Sequence, residues 1–148
     1  MFKIVSTFCI LSSIAILLFS FAPATEEGIT VTVSHLRSNK GHVLVSLFKD
    51  EAGFPAKAEK AFRKATVNII NKEAVITFSS LPAGNYAIAI LHDENDDMKM
   101  NTNFPGIPKE GYGFSNNVMG IVGSPSFNKA SFKHQGSSVT YVTIRTRY

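Results

Sequence analysis

From Ile29 onward, apolar and polar residues alternate with a period of two, the signature of half-buried strands rather than helices. Ile29, Val31 and Val33 alternate with Thr30, Thr32 and Ser34, and after a turn at Asn39-Lys40-Gly41 the pattern resumes at Val43, Val45 and Leu47. Read as a hairpin with Ser38 opposite His42, this places Val33 across from Leu47 and both apolar sets on one side of a sheet. A second unit pairs Val67 and Ile69 with Ala74, Ile76 and Phe78 around Asn71-Lys72, with Ile70 opposite Glu73 and Val67 opposite Ile76. A third joins Ala130 and Phe132 to Val142 and Ile144 through Gln135-Gly136-Ser137, with Phe132 opposite Thr140 and Ala130 opposite Val142.

Two segments break the alternation. Phe54 to Lys64 reads as a loop with a turn or two of helix, since its alanines, lysines and glutamate favour helix without forming a long apolar stripe. Leu81-Pro82-Ala83-Gly84-Asn85 is a turn feeding Tyr86 to His92, a strand apolar on both faces and therefore covered twice. One cover is an opposing sheet, and the other is the segment from Asp93 to Asn128. Strands at this spacing, with Gly and Pro turns and no long helix, predict one all-β domain over residues 25–148: an antiparallel β-sandwich of about seven strands, immunoglobulin- or transthyretin-like, with one long ordered loop.

The amino terminus belongs to a different class of segment. Lys3 precedes an apolar run from Ile4 to Phe21 that ends at Ala22-Pro23-Ala24, small residues at the positions a signal peptidase requires. Residues 1–24 are expected to be a signal peptide cleaved after Ala24; the alternative is an uncleaved anchor, the run being about long enough to span a bilayer. The residues before Cys9 do not form a lipobox, and with that cysteine in the leader the mature chain has neither disulfides nor thiolate metal sites. No membrane span is expected after cleavage. The net charge of +4 includes Lys3, and the basic group Lys57, Lys60, Arg63 and Lys64 is broken by Glu59 and alanines, a solvated face rather than a nucleic-acid patch.

Chemistry, if present, concentrates between residues 92 and 117. A connection as long as Asp93 to Asn128 is usually functional or disordered. Phe104, Ile107, Tyr112, Phe114, Val118, Ile121, Val122 and Phe127 make it too apolar for a disordered linker. We read an ordered excursion pinned by Pro105 and Pro108, bent at Gly106, Gly111 and Gly113, and lying over the central strand. Asp93, Asn95 and Asp97 alternate like the first ligands of a calcium loop. Met98 occupies the sharp-turn glycine position, Lys99 adds a positive charge, and Phe104 stands where the bidentate glutamate belongs, which excludes an EF-hand. A looser calcium site using Asp93, Asn95, Asp97 and Asn101, with Glu110 as a further donor, remains one reading; turns in which these side chains bond their own backbone are the other. In the second part of the excursion, Tyr112 and Phe114 stand between glycines and before Ser115 and Asn116, either presenting flat faces to a ligand or plugging the sheet.

The run from Leu81 to Asn117, with Leu-Pro-Ala-Gly-Asn-Tyr, His-Asp-Glu-Asn and Thr-Asn-Phe-Pro-Gly-Ile-Pro-Lys-Glu-Gly-Tyr-Gly-Phe-Ser-Asn-Asn, followed by Ser124-Pro125-Ser126-Phe127, resembles the secreted bacterial family called domain of unknown function 2141. The resemblance implies an exported protein, mostly of Gram-negative bacteria, with a β-sandwich and no established activity or catalytic residues to carry over. Where that family tends to have glycines and an Asp in the acidic loop, this chain has Asp96, Met98 and Asn101, which weighs against a metal.

A hydrolase reading would take His92 as general base with Asp93 or Glu110 as partner, but on a strand His92 and Asp93 point to opposite faces. No nucleophile elbow, zinc-binding helix or phosphate loop is present in the sequence. The expectation is therefore a non-catalytic periplasmic or cell-surface module. It would bind a small ligand, glycan or protein through His92, Asp93, Asn95, Glu110, Tyr112, Ser115 and Asn116, without a cofactor unless calcium is one.

Overall fold

The computed structural model describes residues 27–120 and 123–148, so the expected leader at 1–24 lies outside the described residues. Eight strands follow one another: β1 (Gly28–Ser34), β2 (His42–Phe48), β3 (Arg63–Asn68), β4 (Ala74–Ser79), β5 (Gly84–Asp93), β6 (Gly111–Phe114), β7 (Phe132–His134) and β8 (Val139–Arg145). They form a three-stranded sheet, β4-β1-β8, and a five-stranded one, β3-β2-β5-β6 with β7 also on β5. Among the described residues the chain is all-β apart from two 3-10 turns and one helical turn, α1 (Phe127–Ala130).

None of the three expected hairpins forms. β1 pairs with β4 and, in parallel, with β8, whereas β2 pairs with β3 and β5. Val33 therefore sits opposite Ala74 and Ile144, and Leu47 opposite Arg63 and Ile88. The second turn does make the Ile70–Glu73 bridge, after which β3 and β4 part into different sheets, leaving Val67 against Val43 and Ile76 against Val31. In the third unit Phe132 pairs with Tyr86 and Val142 with Val31, while Ala130 belongs to α1. Each turn carries the chain from one sheet to the other. The apolar sets face one another across the interior, and the same parity is satisfied by a different topology.

That interior is one cluster drawn from both sheets, including Ile29, Val31 and Val33 of β1, Val43, Val45 and Leu47 of β2, Tyr86, Ile88 and Ile90 of β5, and Val142 and Ile144 of β8. The second face of β5 is covered as its composition requires. Ala87 and Ala89 lie beneath Phe48, Phe114 and Ala130, joined by Val118, Met119 and Phe127. Phe54 and Ala61 share this cover, so the β2–β3 connection contributes as well as the long excursion. The Phe54 ring meets Phe48, Phe114 and Phe127 edge-on at centroid distances of 5.3, 6.1 and 5.9 Å.

The Asp93–Asn128 excursion contains a strand that alternation could not reveal. Gly111 and Gly113 do not bend the chain; they lie in β6, paired against His92 and Ile90. A Cβ on Gly111 would come within 2.5 Å of the Thr146 Cγ2, and one on Gly113 within 2.8 Å of the Ile144 Cγ2. Their missing side chains let the end of β8 cross over onto β6, where Tyr112 and Arg147 exchange backbone hydrogen bonds at 2.8 Å. In Gly-Tyr-Gly-Phe, the glycines admit the crossing strand on the inner face and the aromatics stand on the outer face.

Candidate functional site

Most polar residues singled out in the sequence are engaged with the protein itself. His92 is fully buried, with Nε2 2.9 Å from the Lys40 carbonyl and Nδ1 2.6 Å from the Tyr148 hydroxyl. A carbonyl only accepts, so Nε2 carries a proton; Nδ1 and the Tyr148 hydroxyl share the second bond, and the Tyr148 oxygen accepts from the Arg37 N–H at 2.9 Å. Burial pushes the Tyr148 phenol above its ordinary range. Neither Asp93 nor Glu110 hydrogen-bonds His92, so the residues named for hydrolysis are not joined as base and partner.

Asp93, also fully buried, accepts from the backbone N–H groups of Asp97 at 3.2 Å and Met98 at 2.8 Å. Glu110 accepts from the N–H groups of Glu94 at 3.0 Å and Asn101 at 2.9 Å, closing the two ends of the turn against one another. The exposed Asp97 receives the Asn101 amide, the Asn95 amide and the Lys99 N–H; the Asn101 contact leads in holding its carboxyl below the usual range. Asp93 and Asp97 thus bond the backbone of their own turn, while Asn95 and Asn101 bond the Asp97 carboxylate. Among the described residues no three His, Cys, Asp or Glu side chains are grouped as a cation would need.

Ser115 is fully buried where the edge of β5 passes from β6 to β7. Its oxygen accepts from the Ile88 N–H at 2.9 Å and its hydroxyl donates to the Ala130 carbonyl at 2.6 Å. Asn116 and Asn117 both take positive φ, 60° and 54°. The first donates to the Lys129 and Ser131 carbonyls, and the second bonds the backbone of Thr143 and Arg145.

Of the expected binding residues, Tyr112 alone lines an open cleft of about 940 Å³ on the outer face of the five-stranded sheet. Register explains its floor. Leu44, Leu91 and Tyr112 form one cross-strand row, and Ser46, Ala89 and Phe114 form the next. The small Ser46 and Ala89 leave a hollow between larger neighbours. Pro55, Ala56 and Ala58 wall one side; Met98, Met100, Thr102 and Ile107 wall another, with Met119 nearby. The sequence signal was there: Leu44 interrupts the polar set of β2, and β5 is apolar on its outer positions.

The second wall is a small hairpin. Thr102 bridges Pro108, the Asn103 N–H donates to the Ile107 carbonyl at 2.9 Å, and Lys109 reaches back to Asn101 at 2.8 Å. Glu110 anchors its base. At its tip the Phe104 ring is 99% exposed, and Ile107 is 58% exposed.

The described residues thus form two β-sheets around a shared core, with a cleft on the outer face of the larger sheet. The chain belongs to the family described as "Uncharacterized protein conserved in bacteria (DUF2141)", whose model matches residues 31–142. No curated protein and no solved structure matches it.

Proposed function

We propose that this protein is an exported, non-catalytic binding module that holds a small, mainly apolar ligand in the cleft over Leu44, Ser46, Ala89 and Leu91. The observation that carries this reading is the apolar outer face of the β2-β5-β6 sheet. Leu44 and Leu91, which the covering aromatics leave only partly buried, are apolar where solvated strand positions would be polar, and they lie in a concavity walled by two loops, within the range of about 300–1,000 Å³ typical of ligand sites. Export is supported by the leader-like residues 1–24, with the periplasm or cell surface as destination. A single immunoglobulin- or transthyretin-like sandwich over 25–148 is supported by the shared core and by the Tyr86 hydroxyl, which donates to the Pro82 carbonyl at 2.8 Å in the manner of a tyrosine corner.

The test is fluorescence of N-phenyl-1-naphthylamine, an apolar probe that brightens on leaving water. The native protein should enhance it saturably, and Leu44→Trp and Ala89→Phe, which fill the floor, should abolish the enhancement. Equal enhancement by native protein and by both variants, with their melting temperatures retained, would refute binding at this cleft.

A further inference from the structure

We infer that the outer edge of β4 docks a second copy of this chain, the two β4 strands pairing antiparallel across a two-fold axis at Thr77. β4 belongs to the smaller sheet, so the contact is independent of the cleft on the larger one. The direction of its backbone groups follows from β1. The Gly28 N–H donates to the Ser138 carbonyl at 3.3 Å, and the Ser34 carbonyl accepts from the Thr146 N–H at 2.9 Å, both on the β8 side. Backbone groups alternate in direction along a strand, so those of Ile29, Val31 and Val33 turn the other way and meet Phe78, Ile76 and Ala74. The N–H and C=O groups of Val75, Thr77 and Ser79 therefore point out of the sheet, where among the described residues no strand pairs with them.

The other sheet edges are protected. β3 opens with exposed Arg63 and Lys64, β6 has Arg147 as its outer neighbour, β7 is three residues long, and on β8 the Asn117 side chain bonds the Thr143 carbonyl and the Arg145 N–H. Charge, shortness and cover keep an edge from recruiting another strand. β4 lacks these devices: Ala-Val-Ile-Thr-Phe-Ser carries no charge or proline and pairs with β1 without a bulge. The symmetry of its outward groups selects the occupant. An antiparallel copy centred on Thr77 sets Thr77 opposite Thr77 and Val75 opposite Ser79, exchanging about six backbone hydrogen bonds. On the inner face Ile76 of each copy, only partly buried in the single chain, comes opposite Phe78 of the other. Glu73 falls opposite Leu81 and Lys72 opposite Pro82, so no like charges meet directly across this register. A charged partner strand would find no opposite charge along β4, whereas a second copy matches it.

Sedimentation equilibrium of the exported chain tests the pairing. A contact of one strand is small and transient, so the mean mass should climb from one chain near ~10 µM toward two near ~1 mM. Over the same range amide exchange should slow at Val75, Thr77 and Ser79, while Ala74, Ile76 and Phe78 stay protected throughout. Thr77→Lys and Thr77→Glu, each setting like charges across the axis, should weaken association by about tenfold or more, and an equal mixture of the two should restore it. Tyr141→Lys, on the exposed face of β8, should leave association unchanged. A native chain that stays monomeric at ~1 mM would overturn the inference, as would association that survives both Thr77 variants with their melting temperatures retained. A monomer that instead binds a synthetic peptide of alternating threonine and valine along β4 would replace the second copy with a foreign strand.

Discussion

Replacing Ser115 by alanine should be among the most damaging single-atom deletions in the domain. Its hydroxyl fills the place a backbone neighbour would take, since β6 pairs with β5 over residues 89–92 and β7 over residues 84–86. The Ile88 N–H between them has the Ser115 oxygen as its partner, and the Ala130 carbonyl takes the hydroxyl proton. Ile88, Ala130 and Ser115 are all fully buried, so water has no ready path to replace the lost atom. Leaving a buried donor unsatisfied costs about 1–3 kcal/mol, and a carbonyl with another lone pair to use costs less. The sum is about 2–4 kcal/mol, a large share of the stability of an ordinary domain. Urea unfolding should therefore show the midpoint falling by about 1–2 M with an unchanged slope. Amide exchange at Ile88 should accelerate with it. Asn116→Ala, whose amide is exposed, should cost distinctly less. A Ser115→Ala variant within about 0.5 kcal/mol of the native protein, with Ile88 still protected, would refute the claim that this hydroxyl closes the sheet edge.

Four further outcomes follow from the same geometry. Gly113→Ala should destabilise by about 1–3 kcal/mol, because its Cβ would meet Ile144 at 2.8 Å and the Arg145 carbonyl at 3.0 Å; thermal melting checks it. The Arg37 guanidinium, then burial-opposed contacts with Ser38, hold the Glu94 carboxyl below its ordinary range. With the folded value depressed, that contribution is present above the unfolded carboxylate value and is lost as pH falls through the folded one, so native and Glu94→Gln melting curves should converge in acid and separate toward neutral pH. Calcium or a chelator should leave the melting temperature unchanged, since the Asp93–Asn101 turn already satisfies its carboxylates; a rise of several degrees with calcium would revive the metal reading. Phe104→Ser should change stability by less than about 0.5 kcal/mol in a denaturant titration, its ring being 99% exposed.

The strands were legible and their partners were not. Alternation located β1, β2, β4 and β8, and the doubly apolar composition of β5 announced its central place between two covers. Parity, however, asks only that apolar residues share an interior. A tight hairpin folds two strands edge to edge, and an arch lays them face to face, and both put Val33 and Leu47 into the same core. Deciding between them needs tertiary information: Val31 of β1 has Ile76 on one side and Val142 on the other, partners remote in sequence. β6 escaped notice for a related reason, since two of its four residues are glycines whose role is to admit β8.

The same limit acts on the polar residues of the excursion. A dense run of acids, amides and hydroxyls looks alike whether it faces a ligand or serves the backbone, because both tasks require donors and acceptors fixed in irregular loops. What separates them is burial and partner identity. Asp93, Glu110 and Ser115 are each at most 4% exposed and bonded to main-chain atoms of this chain, at the points where strand pairing stops. The polar work of the excursion is therefore to terminate sheets, and its surface chemistry is left to Tyr112, the methionines and the hairpin they adjoin. On this argument, substitutions at Asp93 or Glu110 should impair any ligand in proportion to lost stability, whereas Leu44→Trp should separate binding from folding.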